Sequence, residues 1–302
     1  MSNQTYHIPV LYHETLEALQ IKPGGVYVDC TFGGGGHSRG ILAKLNENGK
    51  LIAFDQDADA QKNLPADKRV IFIPQNFAHL QRFLRLYKYP KVDGVLADLG
   101  VSSHQFDEGE RGFSIRFDGP LDMRMDRRQE TTAATVLANS SEKELTEIFS
   151  LYGEVSNSKT LAKHIVEHRS TSALTTIQSF KNMIAPAVKG NPNKYLAQVF
   201  QALRIQVNDE LGVLKSLLEQ LPEVLNNGGR AAIITFHSLE DRLVKNFFKQ
   251  GSFEAEEEHP FFNSTKKSPF KIITKKPVLA SEKELKENTR SRSAKLRVAE
   301  LI

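Results

Sequence analysis

The sequence predicts an α/β fold, an open sheet of seven strands split by a helical insertion, and two observations carry that prediction. Short apolar, β-branched runs alternate with segments long enough for a helix through residues 26–98, which is the pattern of parallel strands joined by crossovers. The rhythm then stops after Asp98 and resumes only at Arg230.

The first four strands are expected at 26–30, 51–55, 70–74 and 92–98. In the interruption, Ser141-x-x-Glu144 forms a capping box ahead of Leu145, Ile148 and Phe149, and from Tyr195 onward apolar residues recur at helical spacing. Leu214, Leu217, Leu218, Leu221 and Leu225 mark an amphipathic helix that should stop at Asn226-Asn227-Gly228-Gly229. Strands follow at 230–236 (RAAIITF), 270–274 (FKIIT) and 295–300 (KLRVAE). The expected organisation is therefore 1–105 as the first part of the sheet domain, 106–213 as the helical insertion, assigned to RNA recognition, and 214–302 as the second part.

Composition narrows the setting. A single cysteine, Cys30, cannot form an intramolecular disulfide and fits a reducing compartment, so the chain is expected to be cytoplasmic. The N-terminus is polar (MSNQTYH), and no apolar run approaches the roughly 18 to 20 residues of a membrane span. The net charge of +4 decides little, but its distribution is uneven. Arg111, Arg116, Arg124, Arg127 and Arg128 crowd one stretch, and Arg290, Arg292, Lys295 and Arg297 another. The acidic run at 254–258 reads as a solvated loop.

The chemistry starts after the first strand, where Asp29-Cys30-Thr31-Phe32 leads into four glycines, Gly33 to Gly36, and then into a helix carrying Ile41, Leu42 and Leu45. Such a loop brings backbone close to a ligand at a helix N-terminus, at the strand ends where open sheets bind ligands. The dinucleotide pattern G-x-G-x-x-G fails in every register, since Ser38 or Arg39 takes the third position. The triphosphate loop fails for want of a Gly-Lys-Ser/Thr ending. Asp55 closes the second strand twenty residues after Gly35, placed to accept hydrogen bonds from ribose hydroxyls. With Asp29 ending the first strand and no phosphate-binding spacing, the pattern favours S-adenosylmethionine, which has no pyrophosphate, over a nicotinamide.

Seven segments occur together and in order: DCTFGGGGHS, ADLGVSSHQFD, ERGFS, DGPLDMRMD, FQALRIQVNDEL, ITFHSLEDR and RSAKLRVAE. In this combination the chain resembles, over essentially its whole length, the bacterial small-subunit (16S) ribosomal RNA (cytosine-N4)-methyltransferases, which modify a cytidine in the decoding region. The resemblance implies a class I, Rossmann-like methyltransferase sheet with a helical insertion. It also implies S-adenosylmethionine as cofactor and small-subunit ribosomal RNA as partner, within the assembled subunit. Membrane is not a partner, and a homo-oligomer is compatible with the family. By motif position, cofactor contacts fall on Gly35, Gly36, His37, Asp55, Phe77, Asp98 and Gln105. His37 and Gln105 rest on the resemblance, while Phe77 can either cover the adenine or pack in the core.

Asp98 ends the fourth strand, where amino-methyltransferases place a residue that accepts a hydrogen bond from the target amine, although the usual Pro-Pro-aromatic sequence does not follow it. Asp98 and His237 are the catalytic candidates: Asp98 to orient N4, His237 to face the base. Ser238 or Asp241 would then cap the next helix. A metal is not expected, because His237-x-x-Glu240-Asp241 lacks the second histidine of H-x-x-E-H. The arginine-rich stretch from Arg111 to Asp126, with Phe113, either grips phosphate and stacks a displaced base or fixes the insertion through Asp–Arg pairs. Arg290 to Lys295 either adds phosphate contacts or forms an exposed basic tail. The competing functions are a nucleotide-cofactor oxidoreductase and an RNA-binding ribosome-assembly protein without chemistry.

Overall fold

A computed structural model describes residues 9–171, 174–253 and 267–302. The acidic run at 254–258 and the N-terminal MSNQTYH lie outside the described residues. The chain forms two compact units, Met1–Gly100 with Gly212–Ile302, and Val101–Leu211. Along the chain the first part of the sheet unit carries α1 (Tyr12–Ala18), β1 (Val26–Asp29), α2 (Gly36–Lys44), β2 (Lys50–Phe54), β3 (Val70–Ile73), α3 (Leu80–Leu86) and β4 (Val92–Asp98). The helical unit follows with α4 (Ser103–Asp107), α5 (Ala133–Asn139), α6 (Glu142–Leu151), α7 (Ser158–His168), α8 (Ile177–Ile184) and α9 (Pro192–Asn208). Then come α10 (Glu210–Val224), β5 (Leu225–Thr235), α11 (Ser238–Gln250), β6 (Phe270–Ile272), α12 (Glu282–Glu287) and β7 (Lys295–Leu301).

The seven strands form one sheet in the order β3-β2-β1-β4-β5-β7-β6, as the strand count predicted. The ladders from β3 to β5 are parallel, whereas β7 runs antiparallel to both β5 and β6. Because parallel strands are covered on both faces, their side chains are apolar on both. Along β4, Val95 and Ala97 join one core with Leu80 and Leu84 of α3, Leu217 and Leu221 of α10 and Phe247 of α11. Leu96 points the other way, into the core with Leu16 of α1 and Ile41 and Leu42 of α2. Chain order reverses between β1 and β4, where an open sheet leaves a crevice at its carboxyl edge.

One local expectation changes. Asn226 to Gly229 do not stand between helix and strand but open β5, whose pairing jumps from Val92↔Leu225 to Gly94↔Arg230. Gly228, at φ 75, takes up the extra residues as a bulge, a conformation glycine adopts without steric cost.

In the helical unit the Ser141 capping box forms as expected: Glu144 Oε2 accepts the Ser141 N–H at 2.7 Å and Ser141 Oγ accepts the Glu144 N–H at 3.2 Å. Helices α5 to α9 bury one continuous apolar cluster, with Leu145, Phe149, Leu161, Phe180 and Leu203 fully enclosed. Asn208, at the end of α9, ties the preceding loop to it: Oδ1 accepts the Met125 N–H at 2.7 Å, and Nδ2 donates to Met123 O at 2.8 Å. Among the described residues no helix is long and apolar enough to cross a membrane.

Candidate active site

The glycine loop joins β1 to α2 at the carboxyl edge. Gly33 and Gly35 have φ of 49 and 70, and Gly35 is the N-cap position immediately before α2. A side chain at Gly35 would strike the Phe32 ring at 2.8 Å, and one at Gly36 would overlap the Pro9 ring. The loop is therefore held at backbone thickness, with the N–H groups of the first turn of α2 as an anion-attracting end.

Asp55, half-buried just past β2, is the loop's anchor. Its Oδ2 accepts the Gly33 N–H at 2.7 Å and its Oδ1 accepts the Asp57 N–H at 2.8 Å. Burial outweighs these hydrogen bonds and pushes the carboxyl up to about 6.

A second network joins the ends of β1 and β4. Asp29 is buried, and burial raises its pKa; its Oδ2 accepts from Ser38 Oγ at 2.7 Å and its Oδ1 from the Thr31 N–H at 3.0 Å. Thr31 Oγ1 in turn accepts the Asp98 N–H at 2.7 Å. The Asp98 carboxylate lies 3.6 Å from the Nε2 of His37, whose ring stacks on Tyr12 with centroids 6.1 Å apart. Both ring nitrogens of His37 and the Oδ1 of Asp98 are buried without a hydrogen-bond partner among the described residues. Buried polar atoms left open in this way are costly unless a ligand completes them, and an amine or hydroxyl donor fits the carboxylate. Asp29, Thr31 and Ser38 hold these groups in place. The sequence pointed to the two acids; the threonine that connects them and the serine that holds Asp29 came only with the fold.

Phe77 follows β3 at the start of a short 3-10 turn, half-buried against the core that contains Leu80 and Leu84. Its turn is set by Asn76, whose Oδ1 accepts the Ala78 N–H and whose Nδ2 donates to Gln56. Gln105 belongs to the helical unit, where it is buried and its Oε1 accepts the Ser102 N–H at 3.0 Å, closing the capping box of α4. That capping role was not anticipated.

Strand β5 brings His237 to the same edge as Asp98, since Ile234 pairs with Asp98 and accepts the Leu99 N–H at 3.0 Å. The His237 Nε2 lies 3.3 Å from Glu240 Oε1, and neither ring nitrogen makes a hydrogen bond to another described residue. The capping expectation is corrected here: neither Ser238 nor Asp241 closes the helix start. Glu240, 2% exposed, reaches back to accept the Phe236 N–H at 2.9 Å. Asp241 is held by Arg297 at 2.6 Å and by Lys295 at 3.5 Å. Although burial pushes the Asp241 carboxyl up, the Arg297 guanidinium outweighs it and keeps the pKa below its ordinary value.

The arginine-rich stretch resolves mostly as internal architecture. Arg111 is fully buried and donates to the carbonyls of Arg124 and Met125, at 3.1 and 3.2 Å. Arg124 pairs with Asp122 and Arg128 with Asp126, both at 2.8 Å. Phe113 is buried and cannot stack a displaced base. Arg127 remains exposed. In the C-terminal basic cluster, Arg297 is likewise buried in its ion pair, whereas Arg292 is exposed.

The geometry, a glycine cradle facing an acid at the next strand and an open His–Asp pair beside it, can be set against known proteins. Ribosomal RNA small subunit methyltransferase H from Parabacteroides distasonis is 52% identical over 299 residues, spanning 98% of each chain. The protein of the same name from Flavobacterium johnsoniae is 50% identical over 298 residues, again 98% of each. A third, from Cytophaga hutchinsonii, is 51% identical and spans 98% of this chain and 99% of its own. The model of the MraW methylase family matches residues 4–302, and the chain belongs to that family.

Proposed function

We propose that this chain methylates N4 of a cytidine in the decoding region of small-subunit ribosomal RNA, with S-adenosylmethionine as donor. The observation that carries the reading is the full-length identity of about half the residues to proteins named for small-subunit ribosomal RNA methylation. The motifs shared with the cytosine-N4 enzymes support the base and the atom. Membership of a methylase family decides against the oxidoreductase and chemistry-free alternatives.

S-adenosylmethionine supplies an electrophilic methyl group on a sulfonium. On this reading Gly35 and Gly36 let backbone approach the cofactor, Asp55 accepts from its ribose hydroxyls, and Phe77 borders its adenine. His37 and Asp98 complete its remaining polar groups. The cytosine amine is a poor nucleophile because its lone pair is delocalised into the ring, so alignment is the main task. Alignment can supply on the order of 7 to 11 kcal/mol, more than the roughly 100- to 10,000-fold of one general base. Asp98, its backbone fixed by Thr31, would orient N4 and take the proton that N4 gives up as the methyl passes to it from the sulfur, whose bond to that carbon breaks; His237 would face the base from β5. The base must leave its stack to reach this edge. The assembled small subunit is the substrate, which places the enzyme in the cytoplasm.

Transfer of labelled methyl to unmethylated small subunits, with naked RNA in parallel and the product nucleoside identified, tests the reading. N4-methylcytidine from subunits is the expected product; a protein that binds the cofactor and labels neither substrate refutes the RNA assignment.

A further inference from the structure

The sheet unit carries a second surface with the chemistry of a nucleic-acid contact, at the opposite edge from the candidate active site. Residues 74–92 contain no acidic side chain and four cations, Arg82, Arg85, Lys88 and Lys91. Helix α3 turns Leu80 and Leu84 into the core, leaving Arg82, Arg85 and Leu86 on its outer side. Leu86 is 67% exposed and Tyr87 40%. Lys91 is committed: its ammonium bonds the carbonyls of Pro222 and Leu225. The side chains of Arg82, Arg85 and Lys88 form no ion pair or hydrogen bond with another described residue.

The turn that ends α3 presents this group. Tyr87 N–H donates to Phe83 O, Lys88 N–H to Arg85 O and Tyr89 N–H to Leu84 O, and Lys88 sits at φ 65, where helix ends ordinarily use glycine. A lysine there sits exposed next to the exposed Tyr87, in a backbone conformation glycine would adopt with less strain. Cations at a helix C-terminus favour the helix dipole, which accounts for Arg85. It does not account for a further cation in the left-handed position or for an exposed Leu-Tyr pair between them.

We propose that Arg82, Arg85, Tyr87 and Lys88 form a docking surface for the ribosomal RNA backbone, remote from the target nucleotide. Charge complementarity to phosphate selects the occupant, and the Tyr87 ring can lie on an unpaired base or a ribose. The inference rests on the ribosomal RNA reading above. Strand β4 runs from Val92, next to this turn, to Asp98 at the other edge. Six residue steps of about 3.3 Å place the two regions about 20 Å apart. A contact at that distance positions substrate without touching the reacting atoms, so it acts on KM and leaves kcat alone.

The test compares wild type with Arg82→Ala/Arg85→Ala/Lys88→Gly and with Tyr87→Ala, each first checked for an unchanged Tm. Binding to unmethylated small subunits and methyl transfer are both measured between 50 and 200 mM salt. The triple variant is expected to bind subunits at least about tenfold more weakly, with kcat and cofactor affinity unchanged. Its log–log dependence of affinity on salt should be shallower by about 2, from roughly 0.7 per lost phosphate contact on single strands. Tyr87→Ala should weaken binding about fivefold or more, with the wild-type salt slope. Unaltered subunit binding by the triple variant overturns the proposal. Weaker binding with an unaltered salt slope assigns the face to a ribosomal protein and overturns the RNA occupant. Wild type that binds subunits without methylating them refutes the functional reading instead, and the binding arm still decides the docking surface.

Discussion

Cofactor affinity should carry the titration of Asp55. Burial in the loop holds this carboxyl at about 6, and a ribose hydroxyl donates well only to the ionised form. With that value the group is about 97% ionised at pH 7.5 and about 9% at pH 5, so apparent affinity for S-adenosylmethionine should fall about tenfold between them. Asp55→Asn keeps an acceptor oxygen but loses the charge. It should bind roughly 10- to 150-fold more weakly at pH 7.5, the equivalent of about 1.5 to 3 kcal/mol for a hydrogen bond to a charged group, and its affinity should be flat between pH 5 and 7.5. Stability runs the other way. A carboxyl whose pKa is raised on folding holds more proton in the native state than in the unfolded one. The native state therefore loses stability as pH rises from about 4 to about 6, by up to about 3 kcal/mol. Asp55→Asn should recover part of that above pH 6. Calorimetric titration of both proteins over the range, with thermal melts in the same buffers, reads both effects. Wild-type affinity that stays constant from pH 7.5 to pH 5, or a variant that keeps the wild-type slope, would refute the assignment of Asp55 to the ribose.

Three further expectations concern single side chains. Gly36→Ala forces its methyl into the Pro9 ring, so it should cost about 1 to 3 kcal/mol and weaken cofactor binding, read by melting and calorimetry. Asp98→Asn should lower kcat by about 100- to 10,000-fold if the carboxylate takes the N4 proton; near-normal turnover would leave it an orienting role alone. Arg111→Met leaves two buried carbonyls without their donor and should cost about 2 to 5 kcal/mol, seen as faster hydrogen exchange across the helical unit. Loss of RNA affinity with unchanged stability would instead return Arg111 to the RNA-binding surface.

What was legible in the sequence is what short-range pattern encodes. Contiguous apolar runs and helical spacing defined the strands and helices, because burial on two faces or on one stripe is written in neighbouring residues. Gly33 to Gly36 and Asp55 stood out because a backbone cradle and an acid at the next strand end need those residue types at that separation. The Ser141 cap was readable for the same reason, its two partners lying three residues apart.

Other features depended on partners far away in the chain. The antiparallel placement of β7 between β5 and β6 is set by packing and ladder pairing over long separations, and no local period encodes strand direction. Glu240 reaches back to the Phe236 N–H ahead of α11, while Arg297, from β7, holds Asp241. The sequence left Arg111 between phosphate contact and holding the insertion; the fold encloses it among the carbonyls of Arg124 and Met125. Charge and residue type are properties of the sequence; whether a charge faces solvent, a carbonyl or a second charge is decided by which segments fold against it. The same holds at the site, where the sequence alone determined that Asp29 and Asp98 end two strands, and only the parallel pairing of β1 with β4 let Thr31 join them.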